Sequence, residues 1–169
     1  MSSSIHSTAA FTFLPMLANL SHILSKAEAW ATEKKIDPAV LLNDRLAPDM
    51  LNLTSQVRIA CDHAKGALYR IQGEKPPAVA DTETTFAELQ ARIATTIDLF
   101  KAVPADKVNG LESASVELKF PWGNLSFTGL GYLLGYAIPN FYFHVTTAYN
   151  ILRHNGVPLG KGDFLHERP

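Results

Sequence analysis

A chain of 169 residues with 47% hydrophobic and 18% charged residues has the length and composition of one globular domain, not of a disordered segment. The formal net charge is −1 and no run of Lys and Arg occurs, which excludes the clustered cations that a nucleic-acid partner requires. A lone cysteine, Cys61, excludes an intramolecular disulfide and a thiolate metal cluster.

The first residues, Met1 to Ile5, lack the basic start and apolar core of a signal peptide. With the free cysteine, this points to the cytoplasm. The first periodic segment runs from about Phe13 to Ala31. Phe13, Leu17, Leu20, Leu24, Ala27 and Ala31 alternate spacings of four and three and so form one stripe on a helix. Pro15 falls near the expected start, where its missing N–H is tolerated. A second helix is expected from about Asp49 to Gln72. Its stripe is Met50, Leu53, Val57, Ala60, Ala64, Ala67 and Ile71, alanine-rich in the middle, so that a neighbouring helix can approach closely. Gly73 stops it, and Glu74 to Pro77 form a loop.

Thr85, with Glu88 three residues on, is a capping box that opens a third helix. Phe86, Leu89, Ile93, Ile97 and Phe100 form its stripe, and Pro104 follows its end. Then the period changes to two. Val116, Leu118 and Phe120 alternate with Glu117 and Lys119, a turn follows at Pro121 to Asn124, and Leu125 and Phe127 resume the alternation. This is a short β-hairpin whose apolar face must lie on the helices, because an isolated hairpin is marginal. The fourth helix is expected to start after Thr128 and to stop at Asn155-Gly156. Its stripe is Leu130, Leu134, Ala137, Phe141, His144, Ala148 and Ile151, with Pro139 as a kink. The tail beyond Gly156 is expected to be extended. No apolar stretch reaches the roughly 18 uninterrupted residues of a membrane span.

Among residues able to carry chemistry, His144 is the most informative, because a leucine would be the default at its place in the stripe. Asn140 lies one turn earlier and points the same way. A buried polar side chain costs roughly 1–3 kcal/mol unless satisfied. A metal, a ligand, a water or a polar residue of a facing helix would satisfy this pair. On the second helix, Gln56 and His63 share a face, so a site of His144, Asn140, His63 and Gln56 is geometrically open if the two helices lie level. The bland alternative leaves His63 on a solvated flank, Gln56 as a packing residue and His144 bonded to a neighbour. Gln56, Phe141 and Tyr142, with Phe143 and Tyr149, are the candidates to line a ligand pocket. His22 falls opposite its helix's stripe, on a solvated face, and His154 lies in the last turn of the fourth helix, where a cation suits the dipole. His6 and His166 lie near the termini, and Cys61 fits a buried structural thiol.

The stretch from Pro139 to Gly160, PNFYFHVTTAYNILRHNGVPLG, resembles the last helix of DinB-like proteins, the DinB/YfiT-like metalloenzyme superfamily. His144, Leu152-Arg153, Gly156 and Pro158 fall on its pattern. KIDPAVLLNDRLAPDM (35–50), QVRIACDHAKGA (56–67) and DTETTFAELQARI (81–93) resemble an uncharacterised family within it, a domain of unknown function. The resemblance covers nearly the whole chain. It implies an all-α, DinB-like four-helix bundle over residues 1–169, with a short hairpin before the last helix. In the superfamily a divalent metal, often nickel or zinc, is held by one histidine of the second helix and an HxxxH pair of the last. Here His144 matches the second histidine of that pair and Asn140 replaces the first, while Gln56 and His63 both remain open for the second helix. Amide oxygens are poor ligands for nickel or zinc compared with imidazole.

The expectation is therefore a metal-free, small-ligand-binding or stress-associated module with a degenerate site, forming a homodimer and binding neither nucleic acid nor membrane. The alternative is a divalent-metal-dependent hydrolase or thiol transferase built around His144, with nickel or zinc held by His63, His144 and Asn140. A third expectation makes Asn140 and His144 a buried polar pair that fixes helix register.

Overall fold

The computed structural model describes residues 4–165, so His166 lies outside the described residues. Helix α1 spans Ile5–Lys34 and begins earlier than the periodicity predicts. Ser4 caps it by accepting from the Ser7 amide, and the Ser7 side chain returns a bond to the Ser4 amide. Ile5 and Ala9, both buried, extend the stripe of Phe13 and Leu17 backward at spacing four. His6 is therefore part of an ordered first turn, with its ring 6.1 Å from that of Phe100. Pro15 sits inside the helix, not near its start. It cannot donate to the Phe11 carbonyl, and Phe11 is 81% exposed, so the gap lies on the solvent side.

A short helix α2, Pro38–Asn43, follows; Asp37 caps it and proline opens it, a pattern too brief to show in periodicity. Helix α3, Leu53–Ile71, starts at the Asn52 cap, later than expected, and leaves Met50 outside. Its predicted stripe from Leu53 through Val57, Ala60, Ala64 and Ala67 to Ile71 is buried throughout. Helix α4, Phe86–Lys101, opens with the Thr85–Glu88 capping box. Strands β1, Ser115–Phe120, and β2, Gly123–Thr128, pair antiparallel around Pro121-Trp122. Val116 pairs with Phe127 and Leu118 with Leu125; Val116 is buried, and Leu118 and Phe127 pack against the core.

The last helical segment begins at the Thr128 cap as α5, Gly129–Tyr132. It widens into a π turn, Leu133–Ala137, and continues as α6, Ile138–His154, with Asn155 as its C-cap. The Ile138 amide bonds the Leu133 carbonyl, five residues back. A proline ring at 139 would clash with the carbonyl four residues before it in a regular helix, and the wider turn makes room. The kink expected at Pro139 thus takes the form of a π turn, which adds one residue to the turn and shifts the buried face. Tyr132 and Leu133 are buried, while Leu130 and Leu134, expected inside, are 39% and 50% exposed. In α6 the buried residues are Phe141, Val145, Thr147, Ala148, Ile151 and Leu152; His144 lies on their flank and is only partly buried.

Gly156, at φ 92°, turns the chain out of α6. The tail is not simply extended: α7, Lys161–Leu165, packs on α1. Asn19 donates to the Phe164 carbonyl at 2.8 Å, and Asp163 takes Lys26 at 2.8 Å and His22 at 3.1 Å. His22 therefore faces a carboxylate. The fold is mostly helical with one small antiparallel sheet. Helix α3 packs against α4 and α6, and α1 against α4 and α6, around one apolar core. Among the described residues no helix is long and apolar enough to cross a membrane.

Candidate functional site

Helix α3 and the last helical segment run antiparallel, since Gln56 meets His144 while His63, farther along α3, meets Tyr136, farther back on that segment. Gln56 is 1% exposed and sits one turn inside α3. Its Nε2 donates to the Leu51 carbonyl at 3.0 Å, and its Oε1 lies 2.7 Å from His144 Nδ1. The Leu51 carbonyl can only accept, so the amide orientation is fixed and Oε1 must accept from the imidazole. His144 is thus held as the tautomer with a proton on Nδ1 and a lone pair on Nε2.

The His63 ring stacks beside that of His144 at 5.9 Å and 16°, and lies 5.8 Å from Tyr136. His63 Nδ1 is buried without a hydrogen-bond partner among the described residues. Burial, then the neighbouring His144 and Arg70, push the His63 pKa down to about 4. Burial alone lowers that of His144. Both rings are consequently neutral near pH 7, and each keeps a lone pair.

Asn140 takes a different course. Its Nδ2 donates to the Tyr136 carbonyl of its own helical segment at 2.7 Å, and it bonds neither histidine. Phe141 is fully buried, edge-on to Phe13 at 5.0 Å, and Tyr142 packs edge-on against Phe141 at 5.6 Å. These two aromatics, expected as pocket residues, belong to the packing of the core. Cys61 is buried, as expected, and burial pushes its thiol up to about 11 against an opposing bond from Thr96. Among the described residues no group of three or more His, Cys, Asp and Glu side chains could hold a metal ion. The donors present are two imidazoles and an amide committed to its own helix, which does not fit a three-histidine site.

A surface cleft of about 1190 Å³ opens between α3, the 73–79 loop and β1. Of the candidate residues named from the sequence only His63 lines it; Lys65, Arg70, Tyr136, Leu118 and Phe120 do so as well. The loop beyond it is tethered by ion pairs. Arg92 bonds Asp81 and Glu83 at 2.9 Å and Asp62 at 3.0 Å, and Arg58 bonds Glu83 at 2.7 Å. Burial opposes ionisation of Glu83, but these guanidinium bonds prevail and hold its pKa below the usual range. The sequence reading missed Arg70, Tyr136 and the hairpin wall. One signal was available: Gly66 inside α3, one turn before Arg70, is an unfavourable helix residue that calls for a close neighbour.

A family model described as a domain of unknown function (DUF1993) matches residues 5–165. Among solved structures, the crystal structure of a DinB family member protein from Shewanella denitrificans is similar, with a TM-score of 0.87 and 43% sequence identity. The alignment covers 98% of this chain and 93% of that one. No curated protein matches.

Proposed function

From the premise that this chain belongs to the DUF1993 family, within the DinB-like fold group, we propose that it is a small-ligand-binding module whose family metal site is degenerate. Residues 1–169 act in this reading as one DinB-like four-helix bundle. The observation that carries it is the state of Asn140. At the position of a histidine in the superfamily pattern stands an amide that bonds its own helix, so among the described residues no third imidazole faces His63 and His144. The cleft beside His63 offers the space for a ligand. The test is elemental analysis of the purified protein combined with a thermal-shift screen of small molecules. Substoichiometric metal and at least one stabilising ligand are expected; a stoichiometric divalent metal retained through purification would overturn the reading.

A second reading, a divalent-metal-dependent hydrolase or thiol transferase around His144, is favoured by the Gln56–His144 bond. Metal-bound histidines commonly donate their other ring N–H to a fixed acceptor, as His144 does. Metal binding that His144→Ala leaves unchanged would exclude it. We further propose a cytoplasmic homodimer formed through exposed helix faces; Phe143 and Leu134, 57% and 50% exposed, are apolar residues of that kind on the last helical segment. Light scattering of the purified protein tests the dimer.

A further inference from the structure

We propose that Arg70, folded back over Gly66 at the edge of the cleft, recognises the anionic group of a small ligand, a carboxylate or a phosphate, whose apolar body lies along the hairpin. This rests on the ligand-binding reading above and names the class of ligand.

The cations that line the cleft differ in what already neutralises them. Lys65 is 3.0 Å from Asp62, which also takes Arg92. Arg70 has no carboxylate within ion-pair distance among the described residues. Its hydrogen bond goes instead to a neutral acceptor, the Tyr132 hydroxyl, 3.1 Å from Nη1. Tyr132 is completely buried, so this acceptor is fixed in place. On the other side the guanidinium presses on the bare backbone of Gly66. A Cβ at that position would come within 2.0 Å of Arg70 Nη1 and 2.7 Å of its Cζ. Alanine would suit the middle of α3 better by helix propensity, but it would evict the guanidinium.

Arg70 is thus confined from two sides and left without a counter-charge. A planar guanidinium of this kind matches a carboxylate or phosphate through paired N–H donors. Because its rotamer is already restricted, little ordering remains to be lost when an anion arrives. Lys75 and Lys119 also line the cleft, with Glu74 and Glu117 in equal number, but among the described residues no hydrogen bond or ion pair holds either lysine side chain in place. Leu118 and Phe120 of β1 and Val79 of the loop supply the apolar wall. The cleft therefore offers one preorganised cation without a carboxylate partner next to an apolar surface, with His63 and Tyr136 close by.

The test is isothermal titration calorimetry of the full chain at low ionic strength, where a partly exposed charge is least screened. The probes are phenylacetate, phenyl phosphate and the uncharged phenylacetamide. At least one anion is expected to bind roughly tenfold or more tighter than the amide, and the preferred anion tells carboxylate from phosphate. Arg70→Gln is expected to weaken that anion roughly tenfold or more, and Arg70→Lys, which keeps the charge without the fork, by less. Gly66→Ala keeps the guanidinium but displaces it, and is expected to weaken the anion as Arg70→Gln does. Circular dichroism establishes that each variant is folded; should Arg70→Gln fail to fold, Arg70→Lys carries the comparison. If phenylacetamide binds as tightly as the anions, or the anions bind a folded Arg70 variant undiminished, the role of Arg70 is overturned while the ligand-binding reading stands. If none of the three binds the wild-type chain, the proposal is also overturned, and the ligand-binding reading is then decided by its own screen.

Discussion

His144 Nδ1 lies 2.7 Å from Gln56 Oε1, and Gln56 is itself pinned by its bond to the Leu51 carbonyl. A side chain of α3 thereby sets the protonation pattern of a ring on α6. Replacing Gln56 with Leu should release it. Nitrogen chemical shifts of the His144 ring should then show a mixture of tautomers, where the wild-type chain shows one with the proton on Nδ1. Loss of the bond should cost about 1–2 kcal/mol of stability by urea denaturation. A single unchanged tautomer in Gln56→Leu would show that something other than Gln56 fixes the ring.

The depressed pKa of His63 makes stability fall in mild acid. Its folded value is about 4 against 6.5 for the ordinary group. Below about pH 6.5 the unfolded chain takes up a proton that the native chain refuses until about pH 4, so stability drops as pH falls through this window. Between pH 7 and 5 the loss from this one ring should reach at most about 2 kcal/mol, with solvent access reducing it. His144, lowered in the same direction, adds to the slope. Urea midpoints of wild type and His63→Gln compared at pH 7 and 5 measure it. Identical pH slopes in the two proteins would count against a neutral, buried His63.

Asn140→His places an imidazole one turn before His144 on the same face of α6. If the amide at this position is what makes the site degenerate, the variant should bind nickel or zinc more tightly than the parent by on the order of tenfold or more. Calorimetric titration of both proteins with each metal provides the comparison. A parent that binds equally well would remove Asn140 as the cause.

Burial lifts the Cys61 thiol to about 11, so almost none of it is thiolate at neutral pH. The native protein should react with a disulfide reagent far more slowly than the same chain in denaturant, on the order of a hundredfold or more. Rapid labelling of the folded chain at pH 7.5 would place Cys61 at the surface instead.

The legibility of this chain varied by element. The α3 stripe, the Thr85–Glu88 capping box, the hairpin and the Asn155-Gly156 stop were readable because each is local chemistry or a short-range period. The first two turns of α1 were not, since Ser7, Thr8 and Thr12 blur the apolar pattern. Leu130 and Leu134 were misplaced because a π turn changes the phase of the helix, and a constant period cannot register an added residue. In the site, His63 and His144 were legible as residues of the right type on plausible faces. Which atoms they offer was not legible, because Gln56 and Leu51 decide that from another helix.

By itself the sequence determined that the chain is mostly helical, where α3 and the last helical segment stop, and that an amide stands one turn before His144. Such properties follow from propensity, capping and spacing, which act within a few residues. Only the tertiary structure decided that Asn140 turns to the Tyr136 carbonyl, that Phe141 and Tyr142 pack into the core, and that His63 meets both His144 and an open cleft. It also decided that Arg70 lies over Gly66 with no carboxylate in ion-pair distance among the described residues. These relationships depend on the relative depth and rotation of α3 and the last helical segment. Packing of the whole core sets that rotation, and the π turn before Pro139 resets it by one residue.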